Sequence, residues 1–188
     1  MTLNIPTILT IARILLLPVI VAVFYLNAPW ARPLCCAIFL IAAITDWLDG
    51  HLARKWNIES EFGAFLDPVA DKLMVATVLI LIVEDASSWW VTLPAIIIIS
   101  REITISALRE WMASVGSRAR VAVSYLGKLK TTMQITALAM LLYKVDLFGL
   151  PMYGIGIFAL YVAAALTLWS MINYLVAAFR PVEARTGL

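Results

Sequence analysis

The sequence predicts an all-α integral membrane protein of about six transmembrane helices, preceded by a short N-terminal interfacial segment. Three observations carry this. Of the 188 residues, 63% are hydrophobic and only 14% are charged, a balance foreign to water-soluble domains. Apolar runs recur along the whole chain, separated by short polar loops, and the length suits six spans of roughly 20 residues each. Finally, the charged residues are gathered into a few clusters, and four aspartates stand inside or beside two of the apolar runs. Residues 1–188 read as a single domain, without internal repeat or low-complexity tract. A net charge of +2 says little by itself, and no nucleic-acid partner is expected. Cys35 and Cys36 are adjacent in an apolar run, which fits neither a disulfide framework nor a CxxC metal site. The N-terminus lacks the separate cationic and cleavage regions of a signal peptide and reads as uncleaved.

In chain order, Met1 to Thr10 is mildly amphipathic and interrupted by Pro6, so it is expected to lie at the interface before helix 1, from about Ile11 to Leu26. Arg13 within that helix faces either lipid headgroups or a substrate phosphate. Asn27 to Pro33 is a loop with Trp30 as interfacial anchor. Helix 2 is expected over about Leu34–Trp56 and helix 3 over about Glu61–Val83, joined by the turn Asn57-Ile58-Glu59-Ser60. Glu84 to Ser88 forms the next loop, followed by the anchors Trp89 and Trp90. Helix 4, about Val91–Met112, carries Arg101, Glu102, Arg109 and Glu110. Glu102, Ser106 and Glu110 recur at intervals of four and share one face. Arg101 either pairs with a nearby glutamate or faces a cavity, as an arginine deep in an apolar run usually does. The basic stretch 113–130 leads into helix 5, which ends near Tyr143, and helix 6 follows from about Tyr153 to Phe179.

The chemistry concentrates between Asp46 and Lys72. A charged side chain within a membrane span costs at least about 2.5–3.5 kcal/mol on insertion scales, so an aspartate there points to function. Asp46, Asp49, Gly50 and Ala53 share one helical stripe, and Gly63, Asp67 and Asp71 share another. Asp49 and Asp67, like Asp46 and Asp71, are nearly equidistant from the turn at residues 57–60. An antiparallel hairpin folded there would bring the four carboxylates together in pairs. Converging oxygen ligands of this kind suit Mg²⁺ or Mn²⁺, and paired hard cations bind diphosphates and assist in-line displacement at phosphorus. Gly inside a helix costs about 1 kcal/mol relative to Ala, so Gly50 and Gly63 are expected to admit a ligand close to the backbone. Arg54 offers a bidentate phosphate fork. His51, two residues from Asp49, points off the carboxylate stripe and is expected at the interface.

The pattern Asp46-x2-Asp49-Gly50-x2-Ala53-Arg54-x8-Gly63-x3-Asp67-x3-Asp71 resembles the complete signature of the CDP-alcohol phosphatidyltransferases. The resemblance implies transfer of a phosphatidyl or related group from a CDP-linked lipid to an alcohol, with release of CMP. It implies that Asp46, Asp49, Asp67 and Asp71 ligate a pair of Mg²⁺ or Mn²⁺ ions, with Asp71 at the edge as base or orienter of the acceptor. Gly50, Ala53, Arg54 and Gly63 would contact the CDP moiety. Outside the signature, Asn4-Ile5-Pro6, Leu9-Thr10, Arg13 and Pro18, the stretch Arg101–Glu110, and Ser124-Tyr-Leu-Gly127-Lys128-x-Lys130 resemble the branch of the family that uses sn-glycerol 3-phosphate. CDP-diacylglycerol and sn-glycerol 3-phosphate are then the substrates, and phosphatidylglycerophosphate the product. Inositol phosphate, serine or phosphatidylglycerol are the alternative acceptors. A prenyltransferase would also hold a diphosphate through aspartates but lacks the Asp-Gly-x2-Ala-Arg core, and a cation channel or transporter would be expected to show an inverted repeat.

Arg101, Arg109, Arg118, Lys128 and Lys130 are the candidates for holding the acceptor phosphate. With the loop at Asn57 on the cytoplasmic side, Arg54, Lys55, Arg109, Arg118, Arg120, Lys128, Arg180 and Arg185 fall there, against Arg32 and Lys144 opposite. That bias predicts an inner-membrane protein with both termini and the active site cytoplasmic. Membrane lipids are its surroundings, and the family resemblance alone implies a homodimer.

Overall fold

The computed structural model describes residues 5–56, 61–114, 125–147 and 149–179; side chains at 5, 6, 47–56, 61, 64, 125–129 and 177–179 are outside the description. Six helices account for nearly all of it: α1 (Ile5–Phe24), α2 (Ala31–Trp56), α3 (Glu61–Ala86), α4 (Trp89–Ser114), α5 (Tyr125–Tyr143) and α6 (Met152–Phe179). Among the described residues no strand forms beyond a single bridge between Leu147 and Leu150, where the chain turns at Gly149 with φ of 77°.

Of the expected interfacial segment, residues 1–4 lie outside the described residues, and residues 5–10 are instead the first turn and a half of the continuous helix α1. Pro6 does not break it. At the second helical position a missing N–H has no intrahelical acceptor to lose, and the fixed φ is already helical. The buried side chains of α1 are Thr7, Thr10, Arg13, Leu17, Ile20 and Phe24. They recur every three or four residues, so one face is buried throughout, polar in its first half and apolar in its second.

That face decides the architecture. α1 packs against both α2 and α3, whereas α2 and α3 have almost no direct contact among the described residues. The expected two-helix hairpin is therefore pried open, with α1 wedged between its arms. Two facing rows of aspartates repel each other, and a third helix bearing a cation and hydroxyls relieves that. α5 and α6 form the most extensive helix pair; α6 also packs on α4, and α5 on α2. The apolar core runs through Phe39, Val78, Leu79, Ile98, Leu138, Leu141 and Leu160, all buried.

Outside, the molecule is as apolar as within. Leu15, Ile41, Ile44, Ile80, Ile103, Phe158 and Trp169 are each at least 60% exposed, a surface suited to lipid rather than water. Among the described residues, three helical segments are long and apolar enough to cross a membrane: Thr7–Phe24, Trp89–Ser114 and Met152–Val176. At the end of the bundle away from the aspartates, Asp85 accepts hydrogen bonds from Arg32 and from Lys144, the latter at 2.8 Å. Tyr25 donates to Glu84 there, and the Arg32 guanidinium stacks 3.8 Å from the Phe24 ring centre.

Candidate active site

A cavity of about 570 Å³ opens between α2, α3, α4 and α5. Asp46 from α2 and Asp67 and Asp71 from α3 line one side of it. The sequence spacing predicts this: Asp67 and Asp71 stand one turn apart on α3 and therefore face the same way. Asp49 lies on α2, three residues beyond Asp46, as do Gly50, Ala53 and Arg54 further along the same helix; their side chains, like that of His51, are outside the described set. Gly63 is buried in the first turn of α3.

The other side of the cavity is formed by α4 and α5. Arg101, Glu102, Ser106, Arg109 and Glu110 reach it from α4, and Lys130, Thr131 and Gln134 from α5. The four-residue interval of Glu102, Ser106 and Glu110 thus does select a cavity-facing stripe. Arg101 is buried and resolves the alternatives left by its sequence context: it lines the cavity and pairs with glutamate as well. Its Nη1 donates to Glu102 at 3.0 Å, and its Nη2 to Ser170 of α6 at 3.0 Å. Lys130, also buried, donates to the same Glu102 oxygen. Arg109 donates to Tyr174 at 3.4 Å, with its guanidinium 5.6 Å from that ring centre. Arg118 lies outside the described residues, and Lys128 lies on α5 with its side chain outside the description.

Two cations have partners that the sequence does not specify. Lys72, beside Asp71, reaches the cavity and donates to Ser106 across the α3–α4 contact. Arg13 meets neither headgroups nor the cavity. It is 2% exposed, and its Nη1 bridges Asp46 at 2.5 Å and Asp71 at 2.9 Å. One turn earlier on the same face, Thr10 donates to Asp67. For Arg13 the sequence offers an arginine in an apolar run and a place in the opening pattern that resembles the family, which imply a polar partner within the bundle without saying which.

Counting charge, the α4–α5 side together with Lys72 carries four cations and two glutamates, a surplus of two positive charges. The opposing side carries three aspartates with Arg13 behind them. The cavity is therefore bipolar: one end attracts cations and the other attracts anions.

The donor set fits a divalent metal by its chemistry. It is all-oxygen and anionic, and the shared guanidinium shows that carboxylates from two separate helices approach one cationic centre. Among the described residues, no group of three or more potential ligands closes on a single point; Asp49 is not among those side chains.

The profile of the family described as CDP-alcohol phosphatidyltransferase matches residues 3–169. The chain belongs to this family. The match begins near the start of α1 and runs into α6, so it takes in both arms bearing the aspartates and the wedge between them. Among curated relatives, a protein of Sodalis glossinidius (strain morsitans) is 60% identical over 179 residues, covering 95% of this chain and 96% of that one. A protein of Salmonella choleraesuis (strain SC-B67) is 57% identical over 178 residues, with 95% and 96% covered. One of Shigella flexneri serotype 5b is 56% identical at the same coverage. All three relatives bear the name CDP-diacylglycerol–glycerol-3-phosphate 3-phosphatidyltransferase. In this CDP-alcohol phosphatidyltransferase the family signature accordingly falls on α2 and α3, and its Asp46, Asp67 and Asp71 line the cavity.

Proposed function

We propose that the chain transfers the phosphatidyl group of CDP-diacylglycerol to sn-glycerol 3-phosphate, yielding phosphatidylglycerophosphate and CMP. The observation that carries this is the bipolar cavity, read with the names of relatives at 56–60% identity. One substrate brings a diphosphate and the other a phosphate dianion, and the two ends of the cavity match that division. Asp46, Asp49, Asp67 and Asp71 would hold two divalent cations, Mg²⁺ or Mn²⁺, as is general in the family. Bound there, such ions neutralise the diphosphate and make CMP a better leaving group.

This chain's own residues do the rest. Gly50, Ala53, Arg54 and Gly63 receive the CDP moiety, the small residues by allowing close approach to the helix backbone. Arg101, Arg109 and Lys130, with Arg118 and Lys128, hold the acceptor phosphate, which takes no part in the bond change. Gripping it at a fixed offset presents the hydroxyl to phosphorus and turns an encounter into a positioned attack. We assign to Asp71 the proton of that hydroxyl. The acceptor oxygen bonds to phosphorus as the bond to the CMP oxygen breaks.

The same reading makes residues 1–188 one membrane domain in which all six helices span the inner membrane. α2, α3 and α5 dilute their apolar halves with the charges of the site. Arg32 and Lys144, the two cations assigned to the far side by the charge bias, do meet on one residue, Asp85. The active site and both termini then face the cytoplasm, and the family resemblance implies a homodimer. The test is turnover with CDP-diacylglycerol and each acceptor in turn, followed by CMP release. Glycerol 3-phosphate should be used at least about a hundredfold better than serine, since a site built for a phosphate rejects an acceptor that lacks it, and better than inositol phosphate or phosphatidylglycerol, whose phosphates are carried on a bulky ring or within a diester. Preference for any of the others would overturn the acceptor assignment.

A further inference from the structure

We infer that Arg13 is a resident counter-cation of the aspartate cluster and a positioning residue for Asp46 and Asp71. The Arg13 side chain is 1% exposed, whereas those of Asp46 and Asp71 are 35% and 48% exposed. Both carboxylates line the cavity and Arg13 does not. The guanidinium therefore approaches from the protein side and leaves the cavity side of each carboxylate open. A cation that plugged the site would be buried between the aspartates and the cavity; this one lies behind them.

The position of α1 explains why it is needed. α2 and α3 barely touch among the described residues, so Asp46 and Asp71 are not held together by packing of their own helices. Arg13 binds both through one nitrogen, and Thr10, on the same face of α1, binds Asp67. One helix face thus gathers three carboxylates from two others and offsets part of their mutual repulsion. A buried cation is costly without partners and strongly held with them. The aspartate cluster can consequently form before any metal arrives.

Thermal unfolding of the full chain in detergent, in EDTA and in saturating Mn²⁺, tests this without a transfer assay. Only the Mn²⁺ measurement rests on the proposed metal-holding role of the aspartates. Arg13→Met keeps an unbranched stem in place of the arginine's and removes its charge. It should lower Tm in EDTA by about 5–10 °C, and by less than half as much in Mn²⁺, because the metal then supplies the missing positive charge. The Mn²⁺-induced rise in Tm should therefore be larger in the variant than in the parent. Arg13→Lys, which retains the charge but not the fork, should fall between the two. In the double variant Arg13→Met/Asp71→Asn one of the two facing charges is gone, and at least half of the loss in EDTA should return. If Arg13→Met alone does not fold, folding of the double variant carries the inference and its failure to fold overturns it. Equal losses in EDTA and Mn²⁺ with no recovery in the double variant would mean that Arg13 only fills space. Should the parent itself not respond to Mn²⁺, it is the metal reading that fails, and recovery or its absence in EDTA decides the role of Arg13.

Discussion

Asp46, Asp49 and Asp67 are the residues on which the proposed chemistry leans hardest. Replacing any one by Asn keeps shape and removes a full negative charge, so each variant should lose transfer by at least about a thousandfold, measured as CMP release over a Mg²⁺ titration. Near-parental turnover of Asp49→Asn at limiting metal would show that the carboxylates are not ligands. On the opposite side of the cavity the expected signature is different. Arg101→Ala, Arg109→Ala and Lys130→Ala should raise KM for glycerol 3-phosphate at least about tenfold, because a charge-assisted hydrogen bond contributes roughly 1.5–3 kcal/mol. KM for CDP-diacylglycerol should move far less. Arg118→Ala and Lys128→Ala complete the series. If none of the five separates the two substrates, the acceptor phosphate binds elsewhere. At this scale the sequence was most legible for the aspartates, whose spacing and apolar flanks make them anomalous. It was least so for Arg13, whose partners lie 33 and 58 positions away.

At the scale of elements, the most extensive contact belongs to α5 and α6. A Cβ added at Gly156 would meet Cγ and Cδ2 of Leu141 at 3.0 Å and Cβ of Met140 at 3.1 Å. Small residues let helices approach closely in a membrane, where packing rather than hydrophobic burial drives association. Leu141 is buried and has little room to yield. Gly156→Leu should accordingly cost about 1–3 kcal/mol by overpacking, seen as a fall in Tm of several degrees. Gly154 has open space at its Cβ position, and Gly154→Ala should not lower Tm and, at a helical position, should raise it slightly. Helix number and approximate limits could be read from alternating apolar runs and loops. The start of α1 could not: Pro6 and the two threonines look like an interface until the aspartates that need α1 are in place.

For the whole molecule, the two ends of the bundle divide the work. Asp85, with Arg32 and Lys144, links the connections at one end, while the cavity occupies the other side of the bundle. Lys144 is 43% exposed, so its pairing with Asp85 is screened and contributes no more than about 1 kcal/mol. Asp85→Ala should therefore lower Tm by only a few degrees and leave KM for both substrates at the parental values. A large change in either KM would show that the two ends are coupled.

What the sequence determined by itself is local: apolar runs long enough for membrane helices, and a signature whose periodicity assigns each aspartate to a helical face. Those follow from hydropathy and from 3.6 residues per turn, which need no knowledge of neighbours. It also led to the family and to candidates that the cavity then gathered, Arg101, Arg109 and Lys130 among them. The order of helices around the site was decided only by tertiary structure. A hairpin is the simplest way to pair two stripes of carboxylates, yet repulsion between those stripes favours a third helix in the gap, and α1 brings both an arginine and threonines on one buried face. Which buried cation neutralises which carboxylate is a property of packing between distant segments, and no local periodicity encodes it.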